Sequence, residues 1–115
     1  MLKNHNRKTQ FIQMHITFPS REMALKLARV LVKERLVACA QILKGITSVY
    51  EWDGKTEEQT EVLLSLKTVH DKYALIEERV MASHPYDTPE VVSFQLAEGS
   101  KKYYEWIETH VRDER

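Results

Sequence analysis

The step Asp53-Gly54 constrains this chain more than any other short segment. Asp-Gly suits the left-handed backbone that a two-residue β-turn demands, so it marks a hairpin. The extended region before it runs from Val37 to Trp52, which is long for one strand. Gly45 lies within that region and predicts a bulge or bend. A return strand is expected from near Glu61, with Val62, Leu64 and Leu66 on one face and Leu63, Ser65 and Lys67 on the other. The chain must therefore build a sheet around one unusually long hairpin, whose ends project beyond a compact core.

The remaining elements follow from hydrophobic period and end signals. Phe11 to Phe18 alternates, with Ile12, Met14, Ile16 and Phe18 on one face and Gln13, His15 and Thr17 on the other. Pro19 ends this strand, and Ser20 is placed to cap a helix from Arg21 to about Arg35 with Glu22 in its first turn. Ala24, Leu27, Ala28 and Leu31 form the apolar stripe of that helix. Asp71 is the expected cap of a second helix reaching Ser83, with Ile76 and Val80 buried. Val91 to Leu96 reads as a short strand. Gly99-Ser100 opens a last helix whose stripe is Tyr103, Tyr104, Ile107 and Val111.

The order β-α-β-β-α-β followed by a helix is an α+β, ferredoxin-like arrangement: an antiparallel sheet with helices on one face and an additional C-terminal helix. Its other face is left open and carries His15, Leu63, Ser65 and Lys67. Open faces and long edges invite partners, so self-association is expected. The chain of 115 residues fits one domain over residues 10–115, preceded by a flexible polar tail over residues 1–9.

Charge and cysteine content narrow the function. Lys plus Arg equals Asp plus Glu at 17 each, which argues against a nucleic-acid partner. Zero net charge also weakens repulsion between copies. One cysteine, Cys39, excludes an internal disulfide and fits a reducing compartment. No secretory signal or membrane-spanning stretch is read, so the expected location is the cytoplasm. No glycine-rich phosphate loop or nucleophile with an evident base is present, and no enzymatic activity is expected.

The segment His84-Pro85-Tyr86-Asp87-Thr88-Pro89-Glu90 is stiffened by its two prolines, yet holds an imidazole, a phenol and two carboxylates. Cys39 and His84 are the soft and borderline metal-ligand types, and Asp87 and Glu90 are oxygen donors. Each has an ordinary alternative. Cys39, between Ala38 and Ala40, is also a small core residue. His84 is also a helix-ending imidazole at the negative end of the helix dipole. Two ligands do not complete a site, and a neighbouring copy can supply more. His5, His70 and His110 are weaker candidates.

Several ordered motifs together resemble the CutA1 family. They are Leu27-Ala28 to Leu31-Val32, Leu36-Val37-Ala38-Cys39-Ala40-Gln41-Ile42, Ile46 through Lys55, Glu61 with Leu66-Lys67-Thr68, the loop from His84 to Glu90, and Tyr103 with Trp106-Ile107. The resemblance implies a small ferredoxin-like homotrimer that binds Cu(II) or another divalent cation and takes part in divalent-cation tolerance, with no required cofactor. It also implies a trimer similar to the PII signalling proteins. Trp52, Glu61, Lys67, Tyr86 and Glu90 would then gather at a cleft between subunits, as a small-metabolite site or as interface packing. A structural platform for a partner protein is the remaining alternative. The sequence departs from the family pattern at Gln41, where Asn is usual, at Lys44, where Pro is usual, and at Tyr104, where Leu is common.

Overall fold

A computed structural model describes residues 10–113; the tail expected over residues 1–9 lies outside the described residues. The elements are β1 (Phe11–Phe18), α1 (Arg21–Lys33), β2 (Cys39–Trp52), β3 (Lys55–Val69), α2 (Tyr73–Ser83), β4 (Val91–Gln95) and α3 (Lys101–His110). The sheet order is β2-β3-β1-β4 with every neighbouring pair antiparallel, which is the expected ferredoxin-like arrangement.

Alternation along β1 sets the main core. Met14 and Ile16 are fully buried, and Ile12 and Phe18 nearly so. They meet Leu64 and Leu66 of β3, Ala24, Leu27 and Leu31 of α1, and Ile76 and Val80 of α2. Each large side chain buried this way contributes roughly 1.5–3 kcal/mol. Ser20 caps α1 as expected, its hydroxyl accepting the Met23 N–H at 3.3 Å.

The helix α1 stops at Lys33, before the expected Arg35, because Arg35 takes a left-handed backbone at φ 61°. The Arg35 N–H donates to the Val32 carbonyl at 3.0 Å and the Leu36 N–H to that of Leu31 at 2.9 Å, the paired bonds of a Schellman ending. Glycine usually occupies that position, since a side chain there costs roughly 1–2 kcal/mol. Here the Arg35 guanidinium reaches α3 and donates to the Thr109 carbonyl at 2.6 Å, tying together the ends of two helices.

The hairpin forms as its turn predicts. Asp53 (φ 57°) and Gly54 (φ 81°) both have positive φ, as a type I′ turn requires. Leu43 pairs with Leu63 and Ile46 with Glu61, so Lys44 and Gly45 together oppose Val62 in a bulge, with Gly45 at φ 81°. The return strand begins at Lys55, earlier than expected. Lys55 to Thr60 is polar on both faces, so its sequence carries no apolar alternation; pairing with β2 makes it a strand, with Glu57 and Gln59 on its half-buried side. The protruding hairpin gives the molecule its long axis, 54 Å against 25 and 21 Å.

Three expectations are corrected. Asp71 does not cap the second helix: the chain leaves β3 through a 3-10 turn over His70–Lys72, Lys72 takes the N-cap position, and no side-chain capping bond is made. The open face is also partly covered. Phe11, which shares the parity of Gln13 and His15, packs with Ala38, Ile107 and Val111, so α3 crosses the end of the face opposite α1 and α2. Tyr104 stacks on Phe11 at 4.0 Å, which accounts for an aromatic residue there. Gly99 makes room for it, since a Cβ at that position would lie 2.6 Å from the Tyr104 ring. Tyr103 is not in the buried stripe; it lies outside, stacked on Trp106 at 5.7 Å.

Candidate functional site

The proline-clamped loop is held at its first residue. His84 ends α2, its N–H donating to the Val80 carbonyl at 2.8 Å, and its backbone is extended (φ −77°, ψ 139°), as a residue before proline prefers. Its ring Nε2 lies 2.6 Å from the Thr17 carbonyl, and its Nδ1 lies 3.1 Å from the Tyr86 amide nitrogen. A carbonyl only accepts and an amide only donates, so the proton sits on Nε2 and the lone pair on Nδ1. The ring also stacks on Phe18 at 4.5 Å. His84 thus pins the loop to β1, and a metal would have to displace one of these bonds.

Tyr86 is held against the hairpin. Glu61 is only 6% exposed. One carboxylate oxygen accepts the Ser48 hydroxyl at 2.6 Å and the other accepts the Tyr86 hydroxyl at 2.9 Å. The Tyr86 oxygen accepts from the Gln59 amide at 3.0 Å, and the Gln59 carbonyl oxygen accepts from the Tyr50 hydroxyl at 2.9 Å. Burial pushes the Tyr86 hydroxyl above the usual tyrosine range, reinforced by its bond to Glu61 and that carboxylate's charge; the Gln59 bond works the other way. Hydroxyl donors therefore satisfy a buried charge and tie loop, β2 and β3 into one polar chain. Ser48, Tyr50 and Gln59 were not among the expected site residues. The register explains why: Gln59 pairs with Ser48 beyond the expected start of the return strand.

The face opposite the main core is ordered in rows across the sheet. The register aligns Cys39, Lys67, Gln13 and Phe94, then Gln41, Ser65, His15 and Val92, then Leu43, Leu63 and Thr17. The Gln13 amide donates to Ser65 Oγ at 3.1 Å and lies 2.8 Å from His15 Nε2. Lys67 Nζ donates to Gln41 Oε1 at 3.2 Å, which gives the longer amide at that position a partner. His15 meets the Phe94 ring edge-on at 4.9 Å. Leu43 at 61% and Phe94 at 50% exposure frame this polar centre with uncovered apolar surface. Cys39 begins β2, half-buried, and α3 brings Tyr103 near it: burial raises the Tyr103 hydroxyl, and Cys39 adds to the shift.

Of the expected site residues, a single chain links His84, Tyr86 and Glu61 by hydrogen bonds, through the Tyr86 amide to His84 and the Tyr86 hydroxyl to Glu61. Lys67 stands six residues from Glu61 along β3, about 20 Å away, and Lys55, opposite Trp52 at the hairpin tip, stands equally far the other way. Cys39 pairs with Lys67, whereas His84 bonds Thr17, the partner of Leu63. The four-step separation from Lys67 to Leu63 places Cys39 about 14 Å from His84 along the strands alone. Asp87 and Glu90 are exposed in the loop. Among the described residues, no group of three or more His, Cys, Asp or Glu side chains is placed to hold a metal ion. Among the same residues, no helix is long and apolar enough to cross a membrane.

Known proteins share this arrangement. The profile described as CutA1 divalent ion tolerance protein matches residues 12–110. The divalent-cation tolerance protein CutA of Thermus thermophilus is 46% identical over 80% of this chain and 89% of its own length. A chloroplastic CutA of Arabidopsis thaliana is 43% identical over 89% of this chain, which spans about half of that longer protein, 56%. The crystal structure of CutA1 from Oryza sativa superposes with a TM-score of 0.88 at 37% identity, covering 91% of this chain and 96% of that one.

Proposed function

The chain belongs to the CutA1 family of divalent ion tolerance proteins, and from that premise we propose that it is a homotrimer that binds copper or another divalent cation with ligands drawn from more than one copy. The observation that carries this reading is the uncovered sheet face with its projecting hairpin. Leu43, Val92 and Phe94 on the face, and Tyr50 and Trp52 toward the tip, are all more than 40% exposed in the single chain. Apolar surface arranged this way around a polar centre fits contact with further copies. The zero net charge offers no electrostatic resistance to it.

The proposed metal ligands are Cys39, His84 and Asp87. Their separation within a chain directs the proposal to neighbouring copies, where the hairpin of one can approach the loop of the next. Cys39 supplies a soft donor and Asp87 an exposed oxygen, while His84 binds only by giving up the Thr17 carbonyl or the Tyr86 amide. An unpaired cysteine fits a reducing compartment, and we place the protein in the cytoplasm. A metabolite cleft is supported less: Lys67 is bonded to Gln41, and the bonded Glu61 stands about 20 Å away in the same chain.

Calorimetric titration of Cu(II) tests the metal site. Cys39→Ala is expected to weaken binding by at least about tenfold, the loss of one strong ligand interaction. His84→Ala is expected to have a smaller effect, because the free ring must first surrender a hydrogen bond. Unchanged affinity and stoichiometry in both variants would remove these residues from the site.

A further inference from the structure

We propose that assembly over the uncovered sheet face is acid-sensitive, with His15 as the group that takes up the proton. The proposal rests on the homotrimer above and adds a regulatory property to that interface. His15 lies in the middle row of the face, between Ser65 of β3 and Val92 of β4. The Gln13 amide nitrogen donates to both Ser65 Oγ and His15 Nε2, so in this arrangement Nε2 is an acceptor and the ring is neutral. A proton added there would place two donors against each other. A flip of the Gln13 amide would relieve that clash, so the cost with no local remedy is the charge once further copies enclose this half-buried ring.

The surroundings offer that charge little compensation. Facing His15 are Gln13 and Thr17 on β1, Leu63, Ser65 and Lys67 on β3, Val92 and Phe94 on β4, and Cys39, Gln41 and Leu43 on β2. The one charged side chain in this set is Lys67, of the same sign as a protonated imidazole; Glu90, two residues before Val92, is exposed in the loop ahead of β4. The nearest carboxylate along this face of β3 is Glu61, four residues past Ser65, about 14 Å away and already bonded twice. The face of α3 reaches the Phe11 end and brings Tyr103, a neutral phenol, to Cys39. In the free chain, water can solvate a charged His15; in the trimer, one such charge from each copy is enclosed. Free chains therefore bind more protons than the assembly. By linkage, the assembly is stable at neutral to mildly alkaline pH and is weakened as pH falls through the range, about 8 to 5, in which histidines change charge.

The test is the concentration at which half the wild-type chains are dissociated, read by light scattering in a fixed, sub-denaturing urea concentration at about pH 8 and about pH 5. A rise of about tenfold or more on acidification is expected. His15→Gln, with His15→Thr as a second neutral replacement suited to a strand, is expected to remove most of that rise while still forming trimers at the higher pH. An equal acid response in the wild type and in either variant that still forms trimers overturns the role of His15. Monomers of wild type at the higher pH overturn the homotrimer itself, and this inference with it.

Discussion

Replacing Phe94 by aspartate is expected to leave the chain folded and to abolish the proposed trimer at micromolar concentration. The side chain is already 50% exposed in the single chain, so the fold gives up little when it is removed. The edge-on contact with His15 is worth roughly 0.5–1.5 kcal/mol. In the proposed assembly the same position would lie on the face that neighbouring copies cover, and symmetry would repeat the change in every copy. An unpaired carboxylate enclosed by Leu43, Val92 and their symmetry mates would cost several kcal/mol per copy. Circular dichroism should therefore retain the mixed helix and sheet signal while light scattering falls to the mass of one chain. Val92→Asp, in the adjacent row, should act the same way, whereas Met81→Asp on the exposed side of α2 should leave the assembly intact.

Replacing Tyr86 by phenylalanine is expected to destabilise the protein by about 1–3 kcal/mol, the cost of leaving a buried polar group without its partner. The variant keeps the ring but removes the donor to Glu61 and the acceptor for Gln59 in one change. Glu61 then retains only the Ser48 hydroxyl. Urea unfolding measures the loss, and Tyr103→Phe is the control, since its ring lies outside the core against Trp106. The pH dependence has a defined sign. The folded state holds the Tyr86 proton more tightly than the unfolded chain does, because burial and the Glu61 charge disfavour the phenolate. The associated stability is complete below the ordinary tyrosine range near pH 10 and is lost as pH rises through the raised value. Tyr86→Phe should remove that alkaline decline along with the hydrogen bond.

The parts of the fold legible in the sequence were those governed by local rules. The alternation of Ile12, Met14, Ile16 and Phe18, the Ser20 cap, the Gly45 bulge and the Asp53-Gly54 turn each rest on a few adjacent residues, and each is present as expected. Lys55 to Thr60 carries no such signal, because its strand form comes from pairing with β2 rather than from a buried face. The placement of α3 across the opposite face depends on Phe11 turning away from the parity of Ile12, a tertiary fact that helical periodicity alone does not contain. The same holds for the polar chain at Glu61. Its members, Ser48, Tyr50, Gln59 and Tyr86, come from three segments and meet only when the bulge sets the hairpin register. The loop His84 to Glu90 was visible as stiff and rich in functional groups. Its anchoring by both ring nitrogens of His84 was not, since those bonds depend on where β1 lies relative to the end of α2.

Light scattering of the wild-type protein at micromolar concentration and neutral pH tests the central claim most directly, namely that the uncovered face and long hairpin are surfaces for further copies. The account predicts a single species at three times the 13.6 kDa chain mass. A species at the mass of one chain would contradict it, together with the intersubunit metal site that depends on it.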